Sequence, residues 1–192
     1  MPEFDPLDYH VIAETVVSAL LHEPKRQLPL AESFPGAGVY LIYYTGSFAL
    51  YAPITKQEQP IYVGRAIPQG GRKGSALNQI ERQNSPSLFN RLRDHWGSLQ
   101  AASNLDVADF QCRYLVVTPI WIGVAESLII ERLKPVWNMV VDGFGLHDPG
   151  ITRKDQRKSD WDMLHPGRSW EARMQPGKSV TQIEAAVRQH FT

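Results

Sequence analysis

Four residue types at suggestive spacings stand out in this chain: a carboxylate, a guanidinium, an imidazole and two phenols. Glu126 has Ile122, Ile129, Ile130 and Leu133 at i−4, i+3, i+4 and i+7, so its carboxylate projects from the apolar stripe of a helix. An unpaired charge there is costly. The position needs a salt bridge to an arginine or a hard divalent cation to ligate. Glu131 points away from the stripe and reads as solvated. Arg91 and His95 stand at i and i+4 beside the stripe of Leu88, Leu92, Trp96 and Leu99. A guanidinium on that face can grip a phosphate and neutralise developing charge, and the imidazole can take or relay a proton. The structural alternatives are a packed histidine beside Trp96 and a local pair between Asp94 and Arg91 or Arg93.

Upstream, Gly38-Val39-Tyr40 and Tyr62-Val63-Gly64 each lie in an apolar run. Tyrosine is ordinary in strands. A phenol with a pKa of about 10 is a poor base at neutral pH unless a cation lowers that value. Asn138, after Pro135-Val136-Trp137, is either a turn residue or a member of the same site.

The elements that must carry these groups follow from patterning. Helical apolar spacing runs over residues 5–22, and a Pro-rich link at 23–35 leads to a strand from Gly38 to Tyr44. Phe48 to Tyr51 continues a hairpin, and a second strand spans Pro60 to Ala66. Residues 67–84 read as a long exposed loop. Ser85-Pro86 supplies an N-cap and first-turn proline for the Arg91 helix. A third strand covers 110–117, and Thr118-Pro119 opens the Glu126 helix, which Pro135 stops. A final helix covers 181–191.

In this order, Gly-x-Tyr, Tyr-x-Gly, Arg-x-x-x-His, Glu and Pro-x-x-Asn, the chain closely resembles the GIY-YIG nuclease superfamily over roughly residues 36–139. Gly36-Ala37-Gly38-Val39-Tyr40, Tyr43-Tyr44-Thr45-Gly46, Pro60-Ile61-Tyr62-Val63-Gly64, Ser103-Asn104-Leu105-Asp106, Val141-Asp142-Gly143-Phe144-Gly145, Lys158-Ser159-Asp160-Trp161-Asp162 and His165-Pro166-Gly167-Arg168 are similar to its Type II restriction endonucleases that cut CCGCGG. The resemblance implies an α+β fold, a three-stranded antiparallel sheet flanked by helices with N- and C-terminal extensions. It implies a site of Tyr40, Tyr62, Arg91, His95, Glu126 and Asn138, with Glu126 binding Mg²⁺, replaceable by Mn²⁺. Tyr40, its pKa depressed by nearby cations, would activate water, and Tyr62 and Asn138 would orient the phosphate or the other side chains. Two departures matter. Tyr40 and Tyr62 are 22 residues apart, so 45–59 is an insertion. Arg65 stands where restriction members often carry lysine, and an arginine cannot accept a proton.

The chain has 192 residues, 43% hydrophobic and 21% charged, with formal net charge zero. That composition fits a globular protein with its own core. The lone Cys112 excludes an internal disulfide framework and suits a reducing cytoplasm. No signal peptide or membrane-length apolar run is visible. The organisation expected is 1–35 as an N-terminal helical extension, 36–140 as the nuclease core with a DNA-facing loop at 67–84, and 141–192 as an extension for DNA contact or dimerisation. Double-stranded DNA is the expected partner, with a homodimer for a palindromic target and a cognate DNA methyltransferase. Arg65, Arg72, Lys73, Arg82, Arg153, Arg157 and Arg168 are candidate DNA contacts, arginine being the natural reader of guanine. The rival functions are a structure-directed repair or recombination nuclease and a non-catalytic DNA-binding protein.

Overall fold

A computed structural model describes residues 9–57, 59–68, 84–148 and 156–192. Its sheet is antiparallel, ordered β1-β4-β2-β3, with β1 at Arg26–Gln27, β2 at Gly38–Tyr44, β3 at Pro60–Ala66 and β4 at Phe110–Val116. Among the described residues seven α-helices accompany it: α1 (Tyr9–His22), α2 (Ala52–Gln57), α3 (Ser87–Ala101), α4 (Ile122–Leu133), α5 (Val136–Met139), α6 (Asp160–Leu164) and α7 (Val180–His190). The α+β class stands, but the sheet has four strands rather than three. The extra one is two exposed polar residues of the Pro-rich link, paired with Cys112 and Gln111. Its backbone pairing is reinforced by Gln27 Nε2, which donates to the carbonyls of Ala108 and Phe110 at 2.7 and 3.0 Å, and no side-chain period could have signalled it.

Strand β2 pairs on both edges and all seven of its residues are buried. That accounts for its near-continuous apolar run, since neither face meets water. Val39, Leu41 and Tyr43 pack into one cluster with Leu20 of α1 and Ile122, Ala125 and Ile129 of α4. Tyr40, Ile42 and Tyr44 point the other way, into a larger cluster with Leu88, Leu92 and Leu99 of α3 and with Trp137, Trp161 and Val187 from the C-terminal half. The sheet is therefore the middle of three layers. No helix among the described residues is long and apolar enough to cross a membrane.

Two local expectations are corrected. Residues 48–51 do not extend a hairpin: a 3-10 turn at Ala49–Tyr51 runs into α2, and the backbone N–H of Phe48 is held by Tyr44 Oη at 2.9 Å. Ser85 does not cap α3, which starts at Ser87 without a side-chain cap bond. The Ser85 carbonyl instead accepts from Gly36 N at 2.9 Å, and the Gly36 carbonyl accepts from Leu88 N at 3.0 Å. These two bonds tie the start of α3 to the entry of β2, which fixes Arg91 and His95 relative to Tyr40. The 67–84 loop lies almost wholly outside the described residues.

A buried polar chain knits the insertion to the C-terminal half. Trp137 Nε1 donates to Tyr51 Oη at 2.8 Å, Tyr51 Oη lies 2.6 Å from His165 Nε2, and His165 Nδ1 lies 3.0 Å from Asn104 Oδ1. Asn104 Nδ2 donates to the Leu164 carbonyl at 2.9 Å. That direction assigns the ring proton to Nδ1 and leaves Nε2 to accept from Tyr51. Burial pushes the His165 pKa from 6.5 down to about 3. The unfolded chain therefore binds a proton near pH 6.5 that the folded chain refuses until about pH 3. Stability is level above that window and declines as pH falls through it, by about 1.4 kcal/mol per unit. Urea titrations at pH 7 and pH 5 should differ by roughly 2 kcal/mol from His165 alone, and equal stabilities would contradict the assignment.

Candidate active site

Strand β3 is the outer strand of the sheet, so groups from both of its faces reach one cleft of about 460 Å³, bordered by Tyr62, Arg65, Asn90, Arg91, Glu126 and His147. Tyr40 and Gly64 are direct cross-strand partners. A Cβ at Gly64 would overlap the Tyr40 phenol. The glycine of the second phrase is thus required by the tyrosine of the first, whose ring lies across it.

Tyr40 is fully buried, and its hydroxyl sits 2.6 Å from His95 Nε2. The Tyr62 ring stands edge-on to His95 at 5.3 Å and tilted to Tyr40 at 6.3 Å. Burial raises the Tyr40 pKa well above 10, and Tyr62 adds to the rise. The charge and hydrogen bond of Arg91 oppose it without prevailing. The expected depression of this phenol is therefore reversed: desolvation outweighs the cation. Tyr62 is raised for the same first cause. Burial, then Arg91, pushes the His95 pKa well below 6.5. At neutral pH the buried pair is a neutral phenol and a neutral imidazole.

Glu126 is half-buried, and its Oε2 meets Arg65 Nε at 3.1 Å. The salt bridge foreseen as one alternative is realised here. Burial nonetheless raises the Glu126 pKa against the opposing charges of Arg65 and Arg91. Arg91 donates from Nη2 to the Gly145 carbonyl at 2.7 Å, and its Nη1 contacts His147 Nε2. Asn138 does not face the cleft centre. Its Oδ1 accepts from Val63 N and its Nδ2 donates to the Val63 carbonyl, both at 2.8 Å. The amide acts as a one-residue strand against the open edge of β3.

The proposed DNA contacts fare unevenly. Arg168 is corrected: it is buried, with an ion pair to Asp162 at 2.6 Å in which both side chains are 1% exposed. Its guanidinium also reaches the carbonyls of Gly143, Phe144 and Leu146 and stacks on Trp161 and Trp170. Such an arginine cannot turn to a base edge. Arg65 lies on the cleft, engaged with Glu126. Arg157 is exposed, its backbone bridging to Gln175. Arg72, Lys73, Arg82 and Arg153 lie outside the described residues.

The sequence singles out Gly143-Phe144-Gly145 as part of a motif but gives the segment 143–147 no role in the site. Phe144 stacks on His95 at 4.4 Å and 17° and meets Tyr62 edge-on at 5.0 Å, while Gly145 and His147 hold Arg91. The Gly-Phe-Gly run was visible, but nothing in its composition says which helix it returns to.

The core brings Tyr40, Tyr62, Arg91, His95 and Glu126 to one edge of the sheet, and the family model described as the Eco29kI GIY-YIG domain matches residues 32–191. The chain belongs to that family. It is a nuclease of a Type II restriction endonuclease family, and DNA is its partner. A search of curated proteins finds no match. The GIY-YIG match extends beyond Asn138 and so includes the segment that stacks on His95. The two phrases that give the family its name meet physically at Tyr40 and Gly64. Gly64→Ala should therefore displace the phenol and cost roughly 1–3 kcal/mol, lowering the melting temperature. An unchanged melting temperature would show that the ring does not depend on the glycine.

Proposed function

We propose that this protein is a Type II restriction endonuclease that hydrolyses phosphodiester bonds of double-stranded DNA at a GC-rich palindrome, CCGCGG, with Mg²⁺. Glu126 carries the proposal. Its carboxylate opens into the cleft, and burial outweighs the nearby positive charge of Arg65 and Arg91. A divalent cation relieves that imbalance. Among the described residues no group of three or more metal-ligating side chains assembles. One carboxylate with water and phosphate oxygens is a donor set that suits Mg²⁺, and Mn²⁺ would substitute. Glu126 is the residue that would hold the ion, whose contribution when bound is to stabilise charge on the phosphate and leaving oxygen.

The chain's own groups divide the remaining work. Tyr40 Oη accepts a proton from the attacking water as its own passes to His95 Nε2, 2.6 Å away. A phenolate need never form, which answers the high pKa of this buried phenol. Neutral His95 is the acceptor that this relay requires. Arg91 meets the negative charge that develops on the phosphoryl oxygens, and Tyr62 orients the phosphate. Asn138 serves indirectly, keeping β3 and so Tyr62 in place. Arg65 cannot be the base, and its role is to hold Glu126.

A palindromic target calls for a two-fold homodimer with one site per strand. In this scheme 36–140 is the nuclease core, and the extensions 1–35 and 141–192 supply dimerisation and further DNA contact. Arg72, Lys73 and Arg82 in loop 67–84, with Arg153 and Arg157, are the remaining candidates to read guanine or grip phosphate. A methyltransferase protecting the same sequence would accompany the enzyme in the cytoplasm.

Incubation with plasmid DNA and Mg²⁺ tests the reading directly. Discrete fragments are expected. Ragged or branch-dependent cutting would mark a repair nuclease, and no cutting a binding protein. Glu126→Ala should lose detectable cleavage while gel-shift affinity for the target persists, and undiminished cutting by that variant would sink the scheme.

A further inference from the structure

Arg91 is held by two acceptors from one segment that follows α5. The Gly145 carbonyl takes Nη2 at 2.7 Å, and His147 Nε2 faces Nη1. A guanidinium has donors and no acceptor. In that contact His147 accepts through Nε2, which places the ring proton on Nδ1. Two fixed acceptors on one planar fork determine its orientation as well as its position.

The segment is itself anchored from behind. Arg168 donates to the carbonyls of Gly143 at 3.1 Å, Phe144 at 3.3 Å and Leu146 at 3.4 Å, while Asp162 fixes Arg168 at 2.6 Å. Carbonyls 143, 144 and 146 thus face the buried guanidinium, and carbonyl 145 faces the one in the cleft. Phe144, stacked on His95, keeps the segment against the site. His147 is exposed, so core packing does not account for its contact with Arg91. It borders the same cleft as Glu126 and Tyr62.

We propose that His147 is a positioning residue for DNA cleavage: together with the Gly145 carbonyl it aims the Arg91 guanidinium at the phosphate. The inference rests on the nuclease function proposed above. Removing one of the two acceptors frees the fork to rotate, and misplacement by about an ångström costs on the order of 100-fold in rate.

Single-turnover cleavage and DNA affinity, the latter measured without divalent metal, test it on the full chain. His147→Ala should lower the cleavage rate roughly 10- to 100-fold and leave affinity and melting temperature unchanged. His147→Gln, whose amide oxygen can take the Nε2 place, should recover most of the rate. In an Arg91→Lys background, His147→Ala should have no further effect. A histidine that touches DNA directly would instead weaken affinity and keep its effect in that background. A second measurement needs no cleavage: the ¹⁵N signals of the His147 ring should report the Nδ1–H tautomer, and the Nε2 signal should shift in Arg91→Lys. If the wild-type chain cuts nothing, the nuclease reading fails while this spectrum still reports the contact. Full activity of His147→Ala beside an active wild type, or a ring signal indifferent to Arg91→Lys, would overturn the proposal.

Discussion

Strand β3 must lie at the edge of the sheet, because only there can residues from two opposed layers share one cleft. Tyr62 stands on the α3 side of the strand and Arg65 on the α4 side. A further strand beyond β3 would wall them apart. An open edge carries its own cost, a row of unpaired backbone groups. Asn138 resolves it with the least material, pairing with both polar groups of Val63 and leaving the rest of the edge clear. The short helix α5 exists to deliver that amide. A residue that reads as part of the site by its place in a motif is here a clamp on the strand that carries Tyr62 and Arg65.

Desolvation sets the chemistry inside that frame. Tyr40 and His95 are both buried, and burial moves each toward its neutral form: the phenol upward and the imidazole downward. A charged pair would have to be stabilised against that environment, whereas a neutral pair at 2.6 Å needs only its hydrogen bond. Proton relay suits such a pair better than a preformed phenolate. Positive charge is kept at the cleft, on Arg65 and Arg91, where solvent and substrate can reach it.

Much of this was legible in the sequence, for reasons that differ by residue. The seven apolar positions of β2, the helix stripes, and the spacing of Arg91, His95 and Glu126 follow from local periodicity, and local periodicity was enough. The partnership of Tyr40 with Gly64 was visible only as two phrases, because register is a property of two strands and a single strand cannot show it. β1 was invisible because its two residues bury nothing. Arg168 was misjudged because nothing in the local pattern marks Asp162, six residues earlier, as its buried partner. Only the fold shows that the two are sealed together. His147 escaped notice because nothing in its neighbourhood repeats.

The two arginines that flank segment 143–147 show why the region after the core cannot be detached from the site. Arg168 is expensive to bury, yet it satisfies a carboxylate and three carbonyls at once, which makes the turn it organises stiff. Arg91 draws on that stiffness, since the carbonyl between those held by Arg168 is the one it uses. Phe144 extends the same arrangement to His95 through ring contact. A loop held only by solvent-exposed bonds would leave the cleft guanidinium freer to move. Burying one arginine is thus a physical means of fixing another that borders the cleft.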